Sequence, residues 1–164
     1  MVAQISDPRT DSEGLRTLQP LWVELFRHHR EVSSYPFLVD DQECSWARRL
    51  SWYRRLLKLG ACYLTADDEE GRLVGYTMVA FETGSDDTFE VSGGIAEIVT
   101  LVVTRSHRSA GVGRALLSAA ERVARERGFD TITVKVMSGN ARAEGFYEAH
   151  GYALAEQVLY RRLK

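Results

Sequence analysis

The segment that most constrains the fold is Ile95–Thr104, a nearly continuous apolar run interrupted by one charge, Glu97. A run of this kind suits a strand covered on both faces. A basic, glycine-containing turn follows. Residues 112–127 then place Val112, Ala115, Leu116, Ala119, Ala120, Val123 and Ala124 on one helical face. Gly128 is placed to end that helix, and Thr131–Val136 reads as a second, β-branched strand. A strand, a helix and a strand in this order predict a sheet with a helix packed on it.

The rest of the chain extends this unit. Residues 2–6 suit a short first strand. Thr10 and Glu13 have capping-box spacing, and Leu15, Leu18, Trp22, Leu25 and Phe26 recur at helical intervals, fading near His29–Ser33. Ser33-Ser34-Tyr35-Pro36 reads as a loop. Asp40 and Glu43 mark a second cap; Trp46, Leu50, Tyr53 and Leu57 form its stripe, and Gly60 its stop. Ala61–Thr65 and Leu73–Phe81 flank the polar turn Asp67–Gly71 as a hairpin, and the acidic Thr83–Phe89 reads as an exposed loop. Asn140–His150 is a short helix, and a last strand is expected from Gly151 through Tyr160. The predicted fold class is mixed α/β (α+β): one twisted sheet flanked by helices, in a single domain spanning residues 1–164.

Charge and composition narrow the function classes. The chain has 164 residues, 45% hydrophobic and 27% charged, with a formal net charge of −2. It has no global basic field to hold nucleic acid or an anionic membrane. No apolar run approaches the ~18 residues of a membrane span. The N-terminus lacks a basic region followed by an apolar stretch, so no signal peptide is expected and a cytoplasmic location is. Cys44 and Cys62 make no metal-ligand spacing with each other or with the four histidines. They read as thiols of a reducing compartment. His28-His29 lacks further ligands, and no metal is expected.

The turn itself, Arg108-Ser109-Ala110-Gly111-Val112-Gly113-Arg114, carries the most chemical information. Backbone N–H groups in the first turn of a helix have no intrahelical partner, and the helix dipole adds positive charge there. Together they form an anion site. Gly111 and Gly113 let the backbone approach a pyrophosphate, and Arg108 and Arg114 can add charge-assisted bonds. The dinucleotide fingerprint and the Walker lysine–hydroxyl pair are both missing. An ordinary strand-to-helix turn with a glycine kink stays open at this point.

The run Arg108-x-x-Gly111-x-Gly113 resembles the coenzyme A pyrophosphate signature of the GNAT superfamily of N-acetyltransferases. Ala96–Thr104 is similar to that family's central strand. Asn140-Ala141-Arg142-Ala143-Glu144-Gly145-Phe146-Tyr147-Glu148-Ala149-His150-Gly151-Tyr152 resembles its second motif. The three motifs cover residues 95–153; the first 90 residues fit only loosely. Ser109 departs from the glycine many members carry there, with little consequence expected because its amide is still available.

The resemblance implies acetyl-coenzyme A as acyl donor and a small-molecule or protein amine as acceptor. It implies that the backbone of Leu101, Val102 and Val103 holds the pantetheine arm in a gap beside the central strand, with the Leu101 amide toward the thioester oxygen. Residues 108–114 (Arg108, Ser109, Ala110, Gly111, Val112, Gly113, Arg114) would bind the pyrophosphate. Asn140, Ala143, Phe146 and Tyr147 would complete the cofactor wall. Fixed N–H donors suit the charge that acyl transfer builds on oxygen. Tyr147 is the candidate general acid for the departing thiolate, and Glu97 the candidate base for the incoming ammonium. Tyr147 as a packing aromatic, Glu97 as a salt-bridged strand residue and Asn140 as a helix cap stay open. Glu24, His28, His29, Tyr35 and Asp86-Asp87 are candidate acceptor-side groups, each also readable as a solvated face or loop. An acidic rim would favour a cationic amine. A non-catalytic acyl-CoA sensor and a transferase for a longer acyl chain are the alternatives, and the resemblance is compatible with a homodimer.

Overall fold

The computed structural model describes residues 3–163. Its elements run β1 (Gln4–Ile5), α1 (Gln19–Val32), α2 (Gln42–Lys58), β2 (Cys62–Asp67), β3 (Leu73–Thr83), β4 (Gly94–Val103), α3 (Val112–Glu126), β5 (Thr131–Val134) and α4 (Ala141–Glu148), with 3-10 turns at Gly14–Leu18 and Arg105–His107. The sheet order is β1-β2-β3-β4-β5. β1 to β4 pair antiparallel, and β5 joins β4 in parallel through α3. The mixed α/β architecture is as the sequence predicts.

Two apolar clusters sandwich the sheet. On one face α3 places Leu116, Leu117, Ala120 and Val123 against Cys62, Leu64, Val79 and Ile98. On the other, α1, α2 and the 3-10 turn bring Leu15, Leu18, Trp22, Trp46 and Tyr53 against Tyr63, Tyr76, Met78 and Val102. β2 shows the consequence of having helices on both sides: alternate residues feed opposite clusters, so Cys62–Ala66 are all buried. Leu116 and Leu117 are 0% and 1% exposed, and burying a side chain of that size contributes about 1.5–3 kcal/mol.

Several local expectations are corrected. Helix entry is capped by Asp11, not Thr10: Asp11 Oδ1 accepts from the Gly14 amide at 2.7 Å. Arg9 Nε at 3.0 Å and the Tyr63 hydroxyl at 3.1 Å fix that carboxylate. A Cβ on Gly14 would lie 2.3 Å from the Tyr63 hydroxyl, so this close approach requires glycine. Residues 14–18 form a 3-10 turn, and α1 starts only at Gln19, with Pro20 in its first turn. α2 is capped by Asp41, whose Oδ1 accepts from the Cys44 amide at 2.6 Å, while Asp40 pairs with Arg30 on the surface. The strand expected over Gly151–Tyr160 does not form. Its apolar residues do not alternate strictly with polar ones, and Leu154, Val158, Leu159 and Tyr160 are exposed. This segment instead reaches the α1–α2 loop, where Tyr160 meets Tyr35 at 5.6 Å between ring centres. Of residues 2–6, Val2 lies outside the described residues, and the strand is Gln4–Ile5.

Candidate active site

The site begins where β4 and β5 part. Their parallel pairing covers Ile95–Ile98 against Thr131–Val134 and stops there. Beyond it, Val99–Val103 has no strand partner on the β5 side among the described residues, although β3 still pairs with the other edge. Backbone groups along such an edge are unmet by the sheet and need another partner. Leu101, Val102 and Val103 lie on this stretch.

A β-bulge at the same place was not legible in the sequence. Met78 pairs with Thr100 and Val79 with Ile98, which leaves Val99 as the extra residue of β4. A bulge resets the alternation of side chains. Ala96, Ile98, Leu101 and Val103 face α3, whereas Val99 and Val102 face α1 and α2. Glu97, between Ala96 and Ile98, therefore shares the α1–α2 face with Val99, Thr100 and Val102. Its Oε1 lies 3.3 Å from Lys135 Nζ, and its side chain is 30% exposed. A charge in an apolar strand is tolerated when it is paired and reaches water, and Glu97 meets both conditions. Deeper on that face, Tyr53 donates to Thr100 Oγ1 at 2.5 Å and lies 3.2 Å from the Tyr76 hydroxyl.

At the end of the open edge sits the glycine turn Arg108–Arg114. Gly111 caps α3 in the left-handed region at φ 83°, and among the described residues no side-chain cap hydrogen bond is made at this helix start. The first-turn amides remain available to an anion. A Cβ on Gly113 would meet the Phe146 ring at 3.6 Å and Val103 Cγ2 at 3.8 Å, so the site tolerates little more than a methyl there. Arg108 Nε donates to the Val103 carbonyl at 3.1 Å, tying the turn to the end of β4. Burial first, and then repulsion from Arg142, holds the Arg108 guanidinium below its usual pKa. Two cations held together in this way favour a bound anion. Arg142, on α4, also donates to Ser109 Oγ at 3.3 Å. Sequence reasoning did not single out Arg142; its position in the first turn of a short helix two residues after the cap Asn140 was the available signal. Ser109 has φ 63°, the one positive value among the described non-glycine residues. The family's frequent glycine there thus answers a backbone need as well as access to the amide. Ala110 and Arg114 are exposed at the turn, and Val112 is buried in the core.

α4 forms the remaining wall. Asn140 Oδ1 accepts from the Ala143 amide at 3.2 Å, so Asn140 caps the helix. The same oxygen lies 3.5 Å from His28 Nε2, linking α1 to α4. Tyr147 packs edge-on to Phe146 and Tyr152 at 5.1 and 5.3 Å. It is 8% exposed, and burial pushes its phenol up to about 12. The hydroxyl therefore carries its proton throughout the neutral range.

The acceptor-side candidates are dispersed. The Glu24 carboxylate accepts from Thr104 Oγ1 at 2.7 Å and the Arg105 amide at 3.1 Å, clamping α1 to the end of β4. Tyr35 packs against Phe37 and Tyr160. Asp86 Oδ1 accepts from the Thr88 and Phe89 amides, both at 2.7 Å, and so shapes its own loop. His29 sits edge-on to Trp22, and burial lowers its pKa to about 4, with His28 and Arg49 adding to the effect. Cys62 is buried in β2, and burial raises its thiol pKa. Among the described residues no cluster of three or more His, Cys, Asp or Glu could hold a metal, and no helix is long and apolar enough to cross a membrane.

An open strand edge leading to a helix start flanked by Arg108 and Arg142 would suit an extended, anionic ligand lying beside the sheet. The model of the acetyltransferase (GNAT) family matches residues 22–152, and the chain belongs to that family. Acetyl-coenzyme A is the family's acyl donor. The chain is 33% identical over 103 residues to the mycothiol acetyltransferase of Clavibacter sepedonicus, covering 62% of this chain and 31% of the relative. It thus spans about a third of the length of the mycothiol acetyltransferases it matches. It is 29% identical over 127 residues to the L-methionine sulfoximine/L-methionine sulfone acetyltransferase of Pseudomonas paraeruginosa, covering 77% of this chain and 71% of the relative. The fold is also that of a GCN5-related N-acetyltransferase from Ralstonia eutropha JMP134, with TM-score 0.75, 17% identity, and 98% and 99% of the two chains covered.

Proposed function

We propose that this chain transfers the acetyl group of acetyl-coenzyme A to a primary amine by direct attack within a ternary complex. The observation that carries the reading is the continuity of the site: the unpaired β5-side edge of Val99–Val103 runs into the uncapped start of α3. The residues present fit the acyl donor. The first-turn amides of α3, with Arg108 and Arg142, would hold the pyrophosphate; Leu101–Val103 would hold the pantetheine arm; Phe146 and Ala143 would line the wall. When bound, acetyl-coenzyme A supplies an activated thioester carbonyl.

The chain's own groups would do the rest. An alkylammonium cannot attack until it loses a proton, and the Glu97 carboxylate is the base offered on the α1–α2 face of β4. The Leu101 amide would stabilise negative charge on the carbonyl oxygen. The Tyr147 hydroxyl, protonated at neutral pH, would give its proton to the sulfur that departs. No covalent acyl-enzyme is required, and the buried Cys62 is unsuited to form one.

The test is calorimetric titration with acetyl-coenzyme A, then a free-thiol assay on the same sample against a panel of primary amines. Binding followed by thiol release for one amine class is the expected result. Binding with no release for any amine would favour an acyl-CoA sensor, and absence of binding would overturn the reading.

A further inference from the structure

Between α1 and α2, on the Glu97 side of the sheet, lies a cavity of about 200 Å³ lined by Trp22, Val39, Ser45, Arg48, Arg49 and Trp52. Its chemistry differs from the acidic rim expected from the sequence, because two arginines and no carboxylate line it. The Arg49 guanidinium lies over the Trp22 ring at 4.0 Å and the Trp52 ring at 4.6 Å. Trp22 is itself pinned, its indole N–H donating to Ser45 Oγ at 3.2 Å in the buried interface. Among the described residues neither Arg48 nor Arg49 has an acidic partner within 4.0 Å. Stacking engages the flat faces of a guanidinium; part of the Arg49 edge faces the Tyr53 hydroxyl, and its remaining in-plane N–H donors are left for a planar oxyanion. One helical turn beyond Arg49, Tyr53 reaches Thr100 on β4, so the cavity adjoins the face that carries Glu97.

We propose that Arg49, stacked between Trp22 and Trp52 with Arg48 beside it in the wall, is a carboxylate-binding element. The cavity it lines takes a small monocarboxylate of amino-acid size. The cavity is smaller than the ~300–1,000 Å³ of drug-sized sites, which favours a compact occupant, and the indole walls suit an apolar side chain. As the subsite that anchors the acceptor's carboxylate while its amine faces β4, it rests on the acetyl-transfer reading; as a carboxylate site it does not.

Trp22 and Trp52 supply the readout. Without acetyl-coenzyme A, tryptophan fluorescence is titrated with L-alanine, L-leucine, L-methionine and L-phenylalanine, each against its carboxamide and its N-acetyl derivative. At least one amino acid and its N-acetyl derivative should give a saturable change that the carboxamide lacks. Arg49→Gln should weaken that binding on the order of 10–100-fold, the weight of a charged hydrogen-bonding group. Arg49→Lys should restore part of it. Equal response to acid and carboxamide, or no saturable change with any carboxylate, overturns the proposal, and wild-type protein alone suffices to show either. If acetyl-coenzyme A does not bind in a parallel calorimetric titration, the transferase reading falls and a carboxylate-selective response still stands.

Discussion

At the residue scale the two candidate proton-transfer groups make separable predictions. Tyr147 is buried, and burial holds its phenol protonated up to about pH 12, so Phe in its place removes a donor without a charge change. Tyr147→Phe should lower kcat on the order of 100-fold, the lower range for general acid catalysis, and leave acetyl-coenzyme A affinity within a few-fold. Steady-state kinetics beside calorimetry separates the two; unchanged turnover across pH would remove the acid role. Glu97→Gln makes a different prediction because its partner is the acceptor's own proton. An alkylamine with a reference pKa of about 10.4 is almost wholly protonated at neutral pH. The variant's deficit in kcat/KM should be large near pH 7 and shrink as pH rises toward 10, where the amine arrives unprotonated. A deficit constant across that range would assign Glu97 to its pairing with Lys135 rather than to proton removal.

At the scale of elements, the decisive junction is β4–turn–α3, where strain and charge can be tested apart. Gly111 has φ 83°, and a Cβ there meets nothing within 4 Å. Gly111→Ala therefore adds only left-handed strain, about 1–2 kcal/mol, readable as a lowered urea midpoint. Gly111→Asp adds the same strain and sets a carboxylate against the first-turn amides of α3 that we propose hold the pyrophosphate. It should abolish acetyl-coenzyme A binding in calorimetry, whereas the alanine variant still binds. Retained affinity in the aspartate variant would move the pyrophosphate elsewhere. This junction was legible because apolar run, glycines and helical stripe are each local patterns. The caps were misplaced by one residue because Thr10 and Asp40 have the same chemistry as Asp11 and Asp41, and partners brought in by the fold (Tyr63 at Asp11, Arg30 at Asp40) help decide which one caps. The bulge at Val99 was hidden because apolar residues on both sides of it read alike when both faces are covered. Arg142 joins Arg108 only through the fold. Residues 151–160 mislead because β-branched and aromatic residues raise strand propensity whether or not a partner edge is met.

At the scale of the whole molecule, the α1–α2 layer is coupled to the sheet through buried polar groups, and His29 lets that coupling be read as a function of pH. Burial is the main cause that lowers its pKa from 6.5 to about 4, with His28 and Arg49 adding repulsion. In the unfolded chain the imidazole takes up a proton near pH 6.5; in the folded chain it resists until about pH 4. The unfolded state thus binds more protons across this window, and stability rises with pH through it. His29's contribution is fully present above about pH 6.5 and is lost as pH falls toward 4, with an upper bound of about 3 kcal/mol at 1.36 kcal/mol per pKa unit. Urea unfolding of wild type at pH 7.5, 6 and 4.5 should show the loss, and His29→Gln, which cannot charge, should flatten the profile over that range. Parallel profiles for the two proteins would place the imidazole in contact with water rather than against Trp22. A flattened profile would show that acid loosens α1, the helix whose Trp22 stacks on Arg49 and whose Glu24 holds the end of β4.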